Sequence, residues 1–376
     1  MNAPVESVRL TRELLRFNTI NPPGAEEPCA RHIGALLEAA GYRVKYQGFG
    51  TGRANLVASI GGSDTKKPLL FTGHIDIVPL GAAPWTHDPF AGETHEGRMY
   101  GRGSSDMKSG VAAFVAAAVA MAPHLARSPG VTLVITAAEE TGCQGAFELL
   151  REPALLGRAG AIVVAEPTAN FPYVGHKGAF WLHAKTHGVT AHGSMPEKGV
   201  NAVYKAARAA LALEGFHFSN PPHAMMGQGT LNVGTLHGGL NINSVPDEAV
   251  IGIDMRTVPT QRHATLRDEL SRVLGPEVEL HTLLDLEAVY TEPDDPWIQT
   301  VFDVMQPHLG ARPDARAATY FTDAAALKPA YGNPPTVILG PGEPQMAHQT
   351  DEYCTTERIA AATDAFSELI RRWCEV

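Results

Sequence analysis

Cysteine is scarce in this 376-residue chain: Cys29, Cys143, Cys354 and Cys374 are the only four, and no C-x-x-C pair occurs among them. That number and spacing exclude a disulfide framework and fit a reducing cytoplasm. Positive charge is also short. Thirty Lys and Arg against 40 Asp and Glu leave a formal net charge of -10. This argues against a nucleic-acid partner or an anionic membrane surface, because either needs a basic face. Long apolar runs are missing too. The longest, Val111 to Ala122, lies between Lys108 and Pro123, whereas a bilayer span takes about 20 residues. Val5 to Phe17 is interrupted by Arg9, Arg12, Glu13 and Arg16, so it reads as an amphipathic helix and not as a signal peptide.

Several catalytic signatures are missing as well. No G-x-S-x-G elbow is present, which leaves a serine hydrolase little support. His95-Glu96 is followed by Met99 where H-E-x-x-H needs its second histidine. The glycine-rich stretch Gly101 to Lys108 matches neither G-x-G-x-x-G nor the P-loop pattern, so phosphate binding is disfavoured there.

What is there is a folding chain. An apolar fraction of 44% with 19% charged residues supports a substantial core, and the length suggests two domains. Up to about Glu166, short apolar runs (69–72, 131–136, 161–164) alternate with helical stretches. This is the pattern of an α/β domain whose mostly parallel sheet is covered by helices. The order then becomes strand, helix, strand, strand, helix, strand, over 180–186, 200–213, 231–236, 249–255, 263–273 and 278–281. That is the split β-α-β-β-α-β unit of ferredoxin-like domains. It predicts a second domain at 177–284 inserted into a discontinuous first domain at 1–176 and 285–376. A helix at 297–305, a strand at 336–339 and a helix at 357–373 return to the first pattern.

Acidic and histidine residues stand where predicted strands end: His74 with Asp76, Glu139 with Glu140, Glu166, and His348 in the loop after Ile338-Leu339-Gly340. Asp106 joins them from the glycine-rich turn. In open α/β sheets ligands bind outside the carboxyl ends of strands. Oxygen and imidazole donors converging there suit a pair of zinc-like ions and hence metal-assisted hydrolysis. Asp76, two residues beyond His74, could accept the free imidazole N–H and fix its tautomer. Of the neighbours Glu139 and Glu140, one can bind metal while the other acts as general base.

Read together, GHIDIVP (Gly73 to Pro79), YGRGSSDMKSG (Tyr100 to Gly110), Glu139-Glu140, EPT (Glu166 to Thr168), GVTAHGSMP (Gly188 to Pro196) and AHQTDEY (Ala347 to Tyr353) resemble the zinc-dependent amidohydrolases. That family includes acetylornithine deacetylase, succinyl-diaminopimelate desuccinylase, aminoacylase and glutamate carboxypeptidase. The resemblance implies a zinc-exopeptidase-like fold with a ferredoxin-like lid and dimerisation domain. It also implies two zinc ions per subunit, with Co2+ or Mn2+ as substitutes. One ion would be held by His74, Asp106 and Glu166, and the other by Asp106, Glu140 and His348. By the same resemblance Glu139 is the proton-transferring base, Asp76 orients His74, and the Asp106–Met107 peptide is cis. His192 stabilises the oxyanion, and Lys177, Asn243, Arg256 and Thr322 are candidates for gripping substrate.

HKG at His176 to Gly178, GVNA at Gly199 to Ala202, LHGG at Leu236 to Gly239 and AHQTDEY look more like acetylornithine deacetylases. Desuccinylases usually carry an arginine where Lys177 stands and another near Thr322-Asp323-Ala324-Ala325. The expected substrate is a small N-acyl amino acid, handled by a cytoplasmic homodimer formed through the lid. Competing readings are a desuccinylase, a di-zinc exopeptidase or carbamoylase, and a non-catalytic binding protein on the same scaffold.

Overall fold

The computed structural model describes residues 5–63 and 65–376. Its contacts divide the chain into two units. The first is Met1–Gly175, Thr291–Arg316 and Thr322–Val376; the second is His176–Tyr290 and Ala317–Phe321.

The main sheet of the first unit contains, side by side, the strands Arg43–Gly48, Ala54–Ile60, Val131–Thr136, Leu69–His74, Ala161–Val164, Thr336–Ile338 and Tyr173–His176. The four strands from Val131–Thr136 to Thr336–Ile338 pair in parallel, and the flanking pairs are antiparallel. Sequence explains the central strands and the outer hairpin. Leu69–His74, Val131–Thr136 and Ala161–Val164 are buried at every position, as strands covered on both faces must be. Arg43–Gly48 carries Arg43 and Lys45 on an edge and is joined to Ala54–Ile60 by a short turn. Such a hairpin can only be antiparallel, and its charges blunt the free edge.

Helix Lys108–Met121 is buried from Lys108 to Ala118 and packs on strand Leu69–His74 and on helices Ser7–Leu15 and Thr356–Cys374. Phe71 of that strand contacts Phe114 and Phe366, with ring centroids 5.9 and 5.3 Å apart. The helix approaches the sheet closely at Gly110, where an added Cβ would lie 2.1 Å from the Ala165 carbonyl oxygen. Glycine is therefore required beside the strand end that leads to Glu166. Because the four central strands run in parallel, the loops after them leave the same edge of the sheet.

The second unit is a four-stranded antiparallel sheet in the order Thr230–Gly238, Glu248–Thr257, Gly178–His187, Val278–Leu286. Its chain order is β-α-β-β-α-β, with helices Ala202–Glu214 and His263–Leu274 sharing a core with the sheet. Burial along Glu248–Thr257 alternates strictly, so one face meets the helices. At the start of the second helix His263 is held by Asp285 Oδ1 at 2.5 Å and Thr257 Oγ1 at 2.8 Å, and it stacks on Phe180. Among the described residues no helix is long and apolar enough to cross a membrane.

Strand Tyr173–His176 ends in a fully buried histidine. His176 Nδ1 lies 2.8 Å from the Lys177 carbonyl, and burial pulls the imidazole down from 6.5 to about 4. Between those values the unfolded chain takes up a proton that the folded chain refuses, so stability falls as the pH drops from 6.5 to 4. The loss should approach about 3 kcal/mol. His176→Asn keeps a donor for the carbonyl and should remove this part of the acid sensitivity, as measured by denaturant unfolding at pH 7 and pH 4.5.

Candidate metal centre

His74 is the last residue of its strand, and its backbone N–H points at Met107 Sδ, 3.3 Å away. Its ring is buried. Nδ1 lies 3.0 Å from the backbone carbonyl of Asp76 and 3.5 Å from the Asp76 carboxylate, so the nearer partner is the carbonyl. A donor at Nδ1 leaves the Nε2 lone pair free, and Nε2 stands 3.2 Å from Asp106 Oδ1 and 3.9 Å from Glu166 Oε1. On the other side His348 Nε2 lies 3.4 Å from Asp106 Oδ2 and 3.1 Å from Glu140 Oε2. Asp106 thus offers one oxygen to each imidazole. Its peptide to Met107 is cis.

Single donor atoms of His74, Asp106 and Glu140 fall within 4.8 Å of one another. Two atoms each about 2.0–2.1 Å from one tetrahedral zinc would stand about 3.3 Å apart. The separations of Asp106 from His74 and His348, 3.2 and 3.4 Å, match that spacing, while Glu166 stands wider, 3.9 Å from His74. The donors, carboxylate and imidazole, are those a zinc-like ion takes.

Electrostatics point the same way. Glu139, Glu140 and Glu166 are pushed up by burial and by neighbouring carboxylates, Glu140 to about 7 and the others well above the ordinary range. Burial alone would raise Asp106 too, but hydrogen bonds from His348 and His74 hold it well below the usual carboxylate range. The two imidazoles are displaced upward, His74 strongly despite its burial and His348 to about 10 through its bonds to Asp106 and Glu140. Among the described residues no lysine or arginine forms an ion pair with any of these groups. A buried acidic cluster left to protons alone calls for positive charge at its centre.

The Asp76 carboxylate, besides standing beside His74, accepts three further donors. Its Oδ1 accepts the Glu139 N–H at 3.0 Å; its Oδ2 accepts the Glu140 N–H at 3.2 Å and Asn21 Nδ2 at 3.0 Å. It therefore fixes the backbone of the two glutamates as well as flanking His74. Ala138, with φ 61°, makes the sharp turn that presents them. Glu139 itself is buried, its Oε1 3.8 Å from Cys143 Sγ, and makes none of the close imidazole contacts of Glu140. Behind it Asp323, pushed up to about 6 by burial, accepts Thr136 Oγ1 at 2.5 Å. Thr322 is fully buried, its hydroxyl accepting the Ala324 N–H at the start of helix Ala324–Ala330.

The remaining expected site residues belong to the second unit. His192 is exposed, and its Nδ1 accepts the Ser194 N–H at 3.1 Å, which leaves the proton of the neutral ring on Nε2. Asn243 lies exposed in the loop whose backbone carbonyl accepts the Gly193 N–H. Lys177 Nζ donates to the Gln228 carbonyl at 3.0 Å. Arg256 pairs with Asp254 at 3.0 Å, its guanidinium 6.0 and 5.9 Å from the Trp181 and Phe321 ring centroids.

Sequence reasoning missed four residues that build this centre: Asn21, Arg102, Asp323 and Glu352. Buried Glu352 accepts backbone N–H groups from Gly103, Ser105 and Asp106 at 2.9, 2.7 and 2.9 Å. The only sequence signal was its place in the AHQTDEY stretch four residues after His348.

With this geometry in view, the model of peptidase family M20/M25/M40 matches residues 70–372. The chain belongs to that family. This M20 enzyme is 28% identical over 403 residues to a probable succinyl-diaminopimelate desuccinylase of Staphylococcus epidermidis, covering 98% of each chain. It is 30% identical over 356 residues to acetylornithine deacetylase of Edwardsiella ictaluri, covering 91% of this chain and 90% of the other. Its fold matches the M20 family metallo-carboxypeptidase Sso-CP2 of Sulfolobus solfataricus with a TM-score of 0.80, at 17% identity and full coverage of both chains. The M20 enzyme is thus a hydrolase acting on amide bonds, with a candidate metal site at His74, Asp106 and Glu140.

Asp76 supports this M20 site through charge-assisted bonds to two backbone donors. Asp76→Asn turns an amide NH2 toward one of them and should cost about 1–3 kcal/mol in denaturant unfolding. Asn21→Ala removes one side-chain donor and leaves both glutamate N–H groups satisfied, so it should cost less. The reverse order would contradict this account of the loop.

Proposed function

We propose that this protein removes a short acyl group from the α-nitrogen of an amino acid, using two zinc ions held at Asp106. His74, Asp106 and Glu166 would hold one ion, and Asp106, Glu140 and His348 the other. The observation that carries this reading is the Asp106 carboxylate, with one oxygen facing each imidazole at 3.2 and 3.4 Å. Bound there, divalent ions would supply Lewis-acid polarisation of the scissile carbonyl and bring the pKa of a water toward neutrality.

Glu139 is the base in this reading. It lies beside the ligands, is buried, and holds its proton more tightly than an ordinary carboxylate. A carboxylate of that kind can take a proton from the attacking water and return it to the leaving nitrogen. His192, with its N–H at Nε2, is suited to donate to an oxyanion, an effect worth about 3 kcal/mol. Lys177, Asn243 and Arg256 are proposed to grip the substrate carboxylate, with Thr322 supporting from its helix start. Arg256 suits that task best because its planar fork binds both oxygens.

Acetyl is favoured as the acyl group because Lys177 and Thr322-Asp323-Ala324-Ala325 lack the arginines that a second carboxylate would need. The similarity to the S. epidermidis desuccinylase keeps N-succinyl substrates as the second reading. Rates on N-acetyl, N-succinyl and N-carbamoyl amino acids and on dipeptides, measured side by side, separate these classes. N-acetyl substrates should be fastest.

A cytoplasmic location fits four cysteines that are all free and buried. We also propose a homodimer through the second unit. Strand Thr230–Gly238 pairs on one side only, and beside it lies a groove of about 1060 Å³. Light scattering should give twice the chain mass.

For the base, Glu139→Gln should keep the bound metal and lose turnover by about 10²–10⁴-fold. His74→Ala should lower metal content and rate together. Near-normal hydrolysis by Glu139→Gln would assign the base elsewhere.

A further inference from the structure

The two halves of the centre come from loops far apart in sequence, and one buried ion pair laces them together. Arg102 is 1% exposed and Glu352 is fully buried, with Arg102 Nη1 2.8 Å from Glu352 Oε2. Glu352 Oε1 accepts the N–H groups of Ser105 and Asp106, and Oε2 accepts that of Gly103. The turn carrying Asp106 is thus wrapped around one carboxylate. Arg102 reaches the other loop. Its Nη1 donates to the Gln349 carbonyl at 3.1 Å, and its Nη2 lies 3.4 Å from the His348 carbonyl and 3.3 Å from that of Pro79. Ser105 Oγ adds a third stitch, donating to the Tyr353 carbonyl at 2.6 Å and accepting the Glu343 N–H at 2.8 Å. His348 itself stands at φ 64°, a left-handed conformation that needs such support.

We propose that Glu352 and Arg102 are positioning residues, a buried ion pair that locks the Asp106 turn to the His348 loop so that both faces of the bridging carboxylate keep their ligands at once. The inference rests on the metal reading above. The hydrogen bonds of both side chains go to one another and to backbone groups, not to the cluster's donor atoms. Their effect passes through backbone groups, three N–H donors on one side and the His348 and Gln349 carbonyls on the other. Supporting partners of this kind typically change metal affinity 10–100-fold when removed.

The test is zinc affinity of purified full-length protein by competition with a chromogenic chelator, alongside thermal melting of the metal-free protein. Glu352→Gln should weaken zinc binding 10–100-fold. Because removing one partner strands a buried charge, the double variant Glu352→Gln with Arg102→Met is measured beside it. The double variant should fold and show the same weakening. A purely structural role would lower the melting temperature and leave the zinc affinity of the folded protein unchanged, and that result overturns the proposal. Wild-type protein that takes up no zinc would overturn the metal reading and this inference together. Wild type holding two ions, with both variants equally tight, would overturn this inference alone.

Discussion

Mutual repulsion among buried carboxylates is the constraint on which this structure turns. Asp106, Glu139, Glu140 and Glu166 crowd around two imidazoles, and the glutamates are driven above their ordinary proton affinity. Burying charge without a partner is among the costliest things a fold can do. The M20 chain nevertheless brings these groups within a few ångströms and places no lysine or arginine against them among the described residues. Divalent cations bound there, as proposed, would resolve the conflict, because they would repay desolvation with direct coordination.

Holding such a cluster before the cation arrives requires a rigid frame. Four parallel strands deliver His74, the Glu139-Glu140 turn, Glu166 and the loop toward His348 to one edge. The finer placement is done by other carboxylates acting on backbone N–H groups. Asp76 holds the glutamate pair, and Glu352 holds the Asp106 turn. In both cases peptide N–H groups take up negative charge, joined by Asn21 at Asp76 and by Arg102 at Glu352, so the carboxylate orients a loop without adding a free charge to the cluster.

Much of this was legible in sequence because it is local. The central strands are buried at every position and mostly apolar, and four of the five ligand candidates stand at strand ends, so short windows suffice to find them. The second unit's strand and helix order was readable for the same reason. Its element ends differ from the expected bounds by up to five residues, as with Val278–Leu286 against an expected end at residue 281. What escaped is non-local. Glu352 meets the turn at Gly103 to Asp106 across some 250 residues, and Asn21 meets Asp76 across 55. No periodicity marks such pairs. Likewise the Asp76 carboxylate, which stands 3.5 Å from His74 Nδ1, also accepts the backbone N–H groups of Glu139 and Glu140 across more than 60 residues. Of the antiparallel flanks, Arg43–Gly48 with Ala54–Ile60 follows from a hairpin connection, whereas Ala54–Ile60 with Val131–Thr136 and Thr336–Ile338 with Tyr173–His176 join strands distant in the chain.

In the proposed function, folding places two cation sites on opposite sides of one carboxylate. Anomalous diffraction at the zinc edge, from crystals of the zinc-loaded protein, tests it most directly. Two peaks should flank Asp106, one shared with His74 and Glu166 and one with Glu140 and His348. A zinc-loaded crystal with no peak between these side chains, or with zinc bound only elsewhere, would contradict it.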